Sequence, residues 1–341
     1  MADTKKEHYV PQCYLQNFVN DSGKIQVFDK VLLQERSQLT SEVAMENYFY
    51  DIDLLSLLKA ANEEKAKTSI MQMLGVDNWN EIEPILSDKK YIEQKYLCPI
   101  ESVYSQIIKD IIKKSYNGNT WVLQNCFAFS QDEKDLLSVF IALQIIRTKT
   151  FRETLGETIE KLYQVFPSKL QKNEKTALPE NITAEANKDF VKLQHSAMLL
   201  NSETLLEFAE ILNQHIWVMY VNQTDLPFYT SDTPILTIPH KFDKYISYGG
   251  FNSLGVEVIF PISPKLMIAM YEKKHHAYLF SPHERRYVPI TDKSKVEAYN
   301  GIQVANSYRC VYSTTNNFDI AKKICEENPR LRDTKNRVVV S

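Results

Sequence analysis

The sequence predicts an α+β fold: a small β-rich N-terminal cap, a central helical bundle, and a C-terminal, mainly antiparallel sheet with flanking helices. Three observations predict it. Residues 53–214 space their apolar side chains with a helical period. Residues 215–316 switch to short β-branched and aromatic runs bounded by Pro- and Asp-rich turns. Helices followed by a block of strands is the α+β order, and no internal repeat interrupts it.

The cap covers residues 1–52, with a strand over Lys24–Asp29 behind an Asp21-Ser22-Gly23 turn. Ser41 starts a short helix that leads into Glu46–Asp51. In the helical region, 53–214, Ser130 with Glu133 three residues later forms a capping box. The helix it opens runs on to Pro167, and its first half is apolar nearly all round, as a central helix must be. A polar loop around Gln171–Thr176 separates it from a helix carrying Val191, His195 and Leu199. Ser202 caps the next helix, which ends at Leu212. The third region, 215–341, contains strand-like runs beginning at His215, Pro227, Ile235, Gly255, Lys265 and Arg286. A helix over Lys293–Ala305, a strand over Arg309–Tyr312 and a helix near Asp319–Glu326 complete it. The three regions are expected to pack as one unit.

Composition narrows the function classes. Hydrophobic residues make up 44% of the 341, enough for a sizeable core. The formal net charge is −3, so a coat for nucleic acid is not expected, although a local basic groove is compatible with it. Five cysteines, an odd number with long spacings and no CxxC, read as reduced thiols. The opening MADTKKEHYV has no signal-peptide pattern, and the longest nearly apolar run, Leu136–Ile146, is too short to span a bilayer. A cytoplasmic location with no membrane partner is therefore expected. Only 8 glycines occur, and no Walker A, GxGxxG, HExxH, GxSxG or kinase set is present.

Several polar residues stand in apolar or turn contexts. His8 opens a dense polar and aromatic stretch and suits a general base; as a structural residue it docks the terminus. Arg147 follows Leu136, Phe140 and Leu143 on one helix face, so its permanent charge needs a carboxylate or an anionic ligand there. A structural ion pair to Glu46 or Asp232 is the plainer alternative. His195 lies between Val191 and Leu199, the usual setting of a core histidine. Ser231 and Asp232 sit in a turn between two apolar strands, a place for either a tight turn or a catalytic carboxylate. Asn300 shares a face with Val296 and Val304 and must brace a loop or meet a ligand. His275, His276 and His283 fit no metal-site spacing.

His8-x-x-Pro11-x-x-Tyr14-Leu15-x-x-Phe18, followed by Val27-Phe28-Asp29, resembles the opening of an uncharacterised bacterial family, domain of unknown function 4238. Glu46-x-x-Phe49-Tyr50, Arg147, Ser231-Asp232-x-Pro234, Pro261-x-Ser263-Pro264 and Asn300 resemble its later landmarks, from about residue 8 to 313. Cys13 departs from the aromatic or apolar residue of the family pattern, so it is not taken as a nucleophile. The resemblance implies no activity. It brings bacterial effector or defence proteins to mind.

Two functional readings follow. In the first, the protein is a hydrolase acting on nucleic acid or a nucleotide in a polar cleft. His8, Glu46 and Asp232 are then catalytic, Arg147, Ser231, Asn300 and Tyr14 hold the ligand, and Asp232 and Glu46 either bind a divalent metal, the candidate cofactor, or orient water. In the second, it is a non-enzymatic module that binds a small anionic ligand or a partner protein. A purely structural network is the third possibility.

Overall fold

The structure is a computed structural model that describes residues 6–51, 63–115, 126–170 and 188–335. The N-terminal part contains β1 (Lys6–His8), the one-turn helix α1 (Gln12–Leu15), β2 (Ile25–Asp29), β3 (Gln34–Gln38) and β4 (Met45–Asn47). Gly23 turns the chain into β2 with a φ of 72°, as the sequence suggests. The helix expected at Ser41 is a single 3₁₀ turn, Thr40–Glu42.

Helices follow: α2 (Glu63–Leu74), α3 (Trp79–Ser87), a π-helical segment (Tyr91–Leu97), α4 (Cys98–Ser115), α5 (Gln131–Arg147), α6 (Lys149–Leu170), α7 (Lys188–Leu200) and α8 (Ser202–Asn213). The capping box forms: Glu133 N donates to Ser130 Oγ at 3.1 Å, and Ser130 N donates to Glu133 Oε2 at 2.6 Å. The expected continuous helix breaks at Thr148, which is extended, with ψ 152°. Its hydroxyl donates to Ile145 O at 2.9 Å and accepts from Phe151 N at 3.2 Å, ending one helix and capping the next. Asn201, not Ser202, caps α8, accepting from Thr204 N at 3.0 Å.

The C-terminal part contains β5 (Ile216–Asn222), β6 (Thr230–Ser231), β7 (Leu236–Pro239), β8 (Val256–Ser263), β9 (Leu266–Tyr271), α9 (Lys273–Phe280), β10 (Tyr287–Ile290), α10 (Lys293–Asn306), β11 (Cys310–Ser313) and α11 (Asp319–Glu327). Five strands form a mixed sheet in the order β10-β5-β9-β8-β7, parallel only between β10 and β5. Its residues alternate between two cores. Trp217, Met219, Phe260 and Ile268 face the cluster that includes Phe140 and Leu143 of α5. Val218, Tyr220, Ile259 and Met267 face Val296 and Tyr299 of α10. Covering on both faces explains why these strands are apolar throughout.

A second sheet, β3-β2-β11-β6, is antiparallel and joins the N-terminal hairpin to C-terminal strands. β1 pairs with β4, placing Glu7 opposite Glu46 and His8 opposite Met45. Among the described residues, no helix is long and apolar enough to cross a membrane.

Candidate functional site

Arg147 is the last residue of α5 and is fully buried. The stripe that buries it is Phe140 and Leu143; Leu136, expected on the same face, is 52% exposed. Neither Glu46 nor Asp232 neutralises it. Its Nη1 donates to Glu101 Oε1 at 2.6 Å, its Nη2 donates to the His8 carbonyl, and its Nε lies 3.4 Å from the Tyr50 hydroxyl. Glu93 Oε2 stands 3.9 Å from Nη2. A buried guanidinium with these partners has its charge compensated and each of its three nitrogens engaged.

Glu93 and Glu101 are the residues that sequence reasoning missed. Glu101 interrupts the buried face of Leu97, Tyr104 and Ile108, the same anomaly that drew attention to Arg147. His8 sits over this pair. Its N donates to Glu93 Oε1 at 3.4 Å, and its Nδ1 is 3.4 Å from Gln12 Nε2 and 4.0 Å from Glu93 Oε1. Burial, reinforced by the Arg147 charge, pushes the imidazole down to about 4, so it is neutral at pH 7. Next to it, burial pushes Glu7 up to about 7, against the hydrogen bond that its Oε2 accepts from Tyr50 N at 2.7 Å. Burial likewise pushes the Cys13 thiol up to about 12, which leaves it protonated.

The other expected site residues are held elsewhere. Glu46 takes Lys149 Nζ at 2.6 Å and Arg152 Nη2 at 3.5 Å. Burial would raise its carboxyl, but the Lys149 hydrogen bond and charge hold it below its usual value. Asp232 is buried in a turn and accepts three backbone N–H groups at 2.7 Å each, from Tyr308, Arg309 and Cys310. Burial raises its carboxyl, against these donors. Ser231 Oγ donates to Thr233 O and accepts from Gln303 Nε2 at 2.8 Å. Asn300 accepts from Tyr229 N at 2.8 Å and donates to Pro227 O at 2.9 Å. The Tyr14 hydroxyl lies 2.6 Å from both Thr230 Oγ1 and Pro261 O. His8 and Arg147 thus share one knot, while Glu46, Asp232, Ser231, Asn300 and Tyr14 brace the cap and the turns around β6 and β11. His195 is a core residue, its Nε2 2.8 Å from Ile146 O. Among the described residues, no group of three His, Cys, Asp or Glu side chains has metal-binding geometry.

Among the described residues, two larger clefts adjoin the opposite end of α5. A cleft of about 720 Å3 opens between the end of α8 (Ile211, Gln214), His215, the β7–β8 loop (Asn252, Leu254) and the start of α9 (Glu272, Lys273, Lys274). A neighbouring cleft of about 460 Å3 shares Gln214, His215 and Lys273 with it and adds Lys134, Glu284 and Arg285. Four cations, Lys134, Lys273, Lys274 and Arg285, therefore line the two clefts against two carboxylates, Glu272 and Glu284. Lys134 Nζ is anchored, donating to His215 O at 2.9 Å and Glu284 Oε1 at 2.8 Å.

Glu272 is also committed, capping α9 by accepting from Lys274 N at 2.7 Å and His275 N at 3.0 Å. Lys273 and Lys274 carry no carboxylate partner among the described residues. His215 is buried; its Nδ1 donates to Ile211 O at 2.8 Å. Burial lowers its pKa, against the Ile211 and Phe251 backbone, which favours the protonated ring, so the ring is neutral. Sequence reasoning had no means of finding this cleft, because its residues come from three loops and helix ends with no motif.

Glu257 of β8 is almost fully buried and accepts from Tyr271 and Tyr299 hydroxyls at 2.9 and 2.8 Å, with His240 Nε2 at 2.7 Å.

These features define an α+β protein whose five-stranded sheet is covered by helices on both faces, with a buried charge knot around Arg147 and two adjoining clefts lined by cations. The chain belongs to the family described as Protein of unknown function (DUF4238), whose model matches residues 6–317. No curated protein and no solved structure matches it.

Proposed function

We propose that the protein is a non-enzymatic binding module that takes an anionic ligand in the cleft between α8 and α9. One observation carries this reading: Lys273 and Lys274 line a space of about 720 Å3 with no carboxylate partner among the described residues. That volume is in the range of small-molecule sites. Binding is preferred to hydrolysis because His8, Glu46 and Asp232 each serve a different local contact. Arg147, the expected anion clamp, is fully buried and already engages Glu101, the His8 carbonyl and Tyr50.

The test is isothermal titration with inorganic pyrophosphate, wild type against the double variant Lys273→Gln/Lys274→Gln. Charge-assisted hydrogen bonds of the usual strength predict a loss of about tenfold in affinity per lysine. Saturable heat that disappears in the double variant supports the reading. Absence of heat in the wild type, or equal affinity in the variant, overturns it.

A further inference from the structure

The β7–β8 loop that supplies Asn252 and Leu254 to the cleft also carries Phe242 and Tyr245, each 86% exposed. These rings flank an Asp243 turn, whose Oδ1 accepts from Tyr245 N at 2.8 Å and Ile246 N at 3.2 Å. Lys244 Nζ lies 5.4 Å from the Tyr245 ring centroid. The root of the loop meets α9 at Gly255, whose φ of 76° suits glycine. A Cβ there would lie 3.2 Å from both the Lys241 stem and the His275 ring. On α9, Tyr278 follows Lys274 by one helical turn and is 93% exposed.

Large rings in water on the loop and helix that also line the cleft, the helix supplying its lysines, form the arrangement that stacks bases and neutralises phosphates. Neither a bilayer nor a duplex suits this face. A bilayer surface favours a continuous apolar tip, whereas Asp243 splits this one. A duplex hides the faces of its bases and leaves exposed rings nothing to stack on. With a net charge of −3, the chain tolerates only a short contact with a polyanion. We infer that this face binds a short stretch of single-stranded nucleic acid, with phosphates on Lys241, Lys273 and Lys274 and bases against Phe242 and Tyr245. This ligand class rests on the anion-binding role proposed for the cleft.

Fluorescence anisotropy with a short fluorescein-labelled oligothymidylate tests this on the full chain, with pyrophosphate titrated in parallel. Phe242→Ala/Tyr245→Ala is expected to weaken oligothymidylate binding about tenfold or more, the usual effect of losing base stacking, and to leave pyrophosphate binding unchanged. Lys273→Gln/Lys274→Gln weakens both. Three phosphate contacts predict a slope of about −2 for log affinity against log salt. If pyrophosphate binds and oligothymidylate does not, the inference falls while the anion reading stands. If neither binds, both fall. Affinity unchanged by loss of the two rings overturns the inference. So does equal binding of the duplex form, or binding of phosphatidylserine–phosphatidylcholine vesicles in place of the oligonucleotide.

Discussion

The two ends of α5 each commit a buried cation to internal partners, but the N-terminal end also borders an open cleft. At its C-terminal end Arg147 is fully buried and its donors meet Glu101, the His8 carbonyl and Tyr50. Near its N-terminal end Lys134 is spent on Glu284 and the His215 carbonyl, but the cleft beside it keeps Lys273 and Lys274 uncommitted among the described residues. An unusual residue on an apolar stripe therefore marks a place where the fold needs something, and that need can be met internally. Ordinary surface lysines become interesting only when the structure shows the space in front of them.

This comparison is broken most severely at the knot. Arg147→Ala strands Glu101 and Glu93 and releases the His8 carbonyl, with an expected loss of about 3–5 kcal/mol in chemical denaturation. A loss below about 1 kcal/mol would show that the knot is not structural. Asp232→Asn comes next. An amide cannot accept all three N–H groups that Tyr308, Arg309 and Cys310 aim at the carboxylate. A drop of about 2–3 kcal/mol in the same assay is expected, with pyrophosphate binding intact once the variant is folded.

The pH dependence sharpens the picture. Glu7 is raised from 4.5 to about 7, so the native state holds that proton more tightly, and stability falls as pH rises across this interval. His8 is lowered from 6.5 to about 4, so its contribution falls as pH drops across an overlapping interval. The two slopes oppose each other. Glu7→Gln is expected to uncover the His8 slope and to stabilise the protein at pH 8 by at most about 3 kcal/mol. His8→Gln uncovers the opposite slope. Urea midpoints at acid and neutral pH that keep the wild-type trend in both variants would refute the compensation. The smallest expected effect belongs to the cleft: Lys273→Gln/Lys274→Gln should leave the unfolding free energy from urea denaturation within about 0.5 kcal/mol of wild type, as is typical of surface changes.

Much of the fold was legible because periodicity is a local property. The switch at residue 215, the Ser130 capping box and the buried character of Arg147, His195 and Asn300 were all readable in the sequence. The break at Thr148 was missed because apolar periodicity runs across it while a single hydroxyl caps the second helix. The partners of Arg147 were missed because pairing depends on which helix lies against which, and spacing along the chain does not encode that. The cleft was invisible for the same reason, being assembled from ends of elements far apart in sequence.

The second sheet has a consequence for biosynthesis. β2 takes its partner β11 from the far side of the chain, Asp29 opposite Cys310 and Phe28 opposite Val311. The β2–β3 hairpin must therefore wait for β11 to be translated before its edge is covered. A transcript truncated ahead of Cys310 would release a chain with that edge open and Val27 and Phe28 unburied, the kind of strand that recruits others like itself and draws proteases and chaperones. Closure of this sheet thus ties the burial of the N-terminal hairpin to the arrival of Cys310–Ser313.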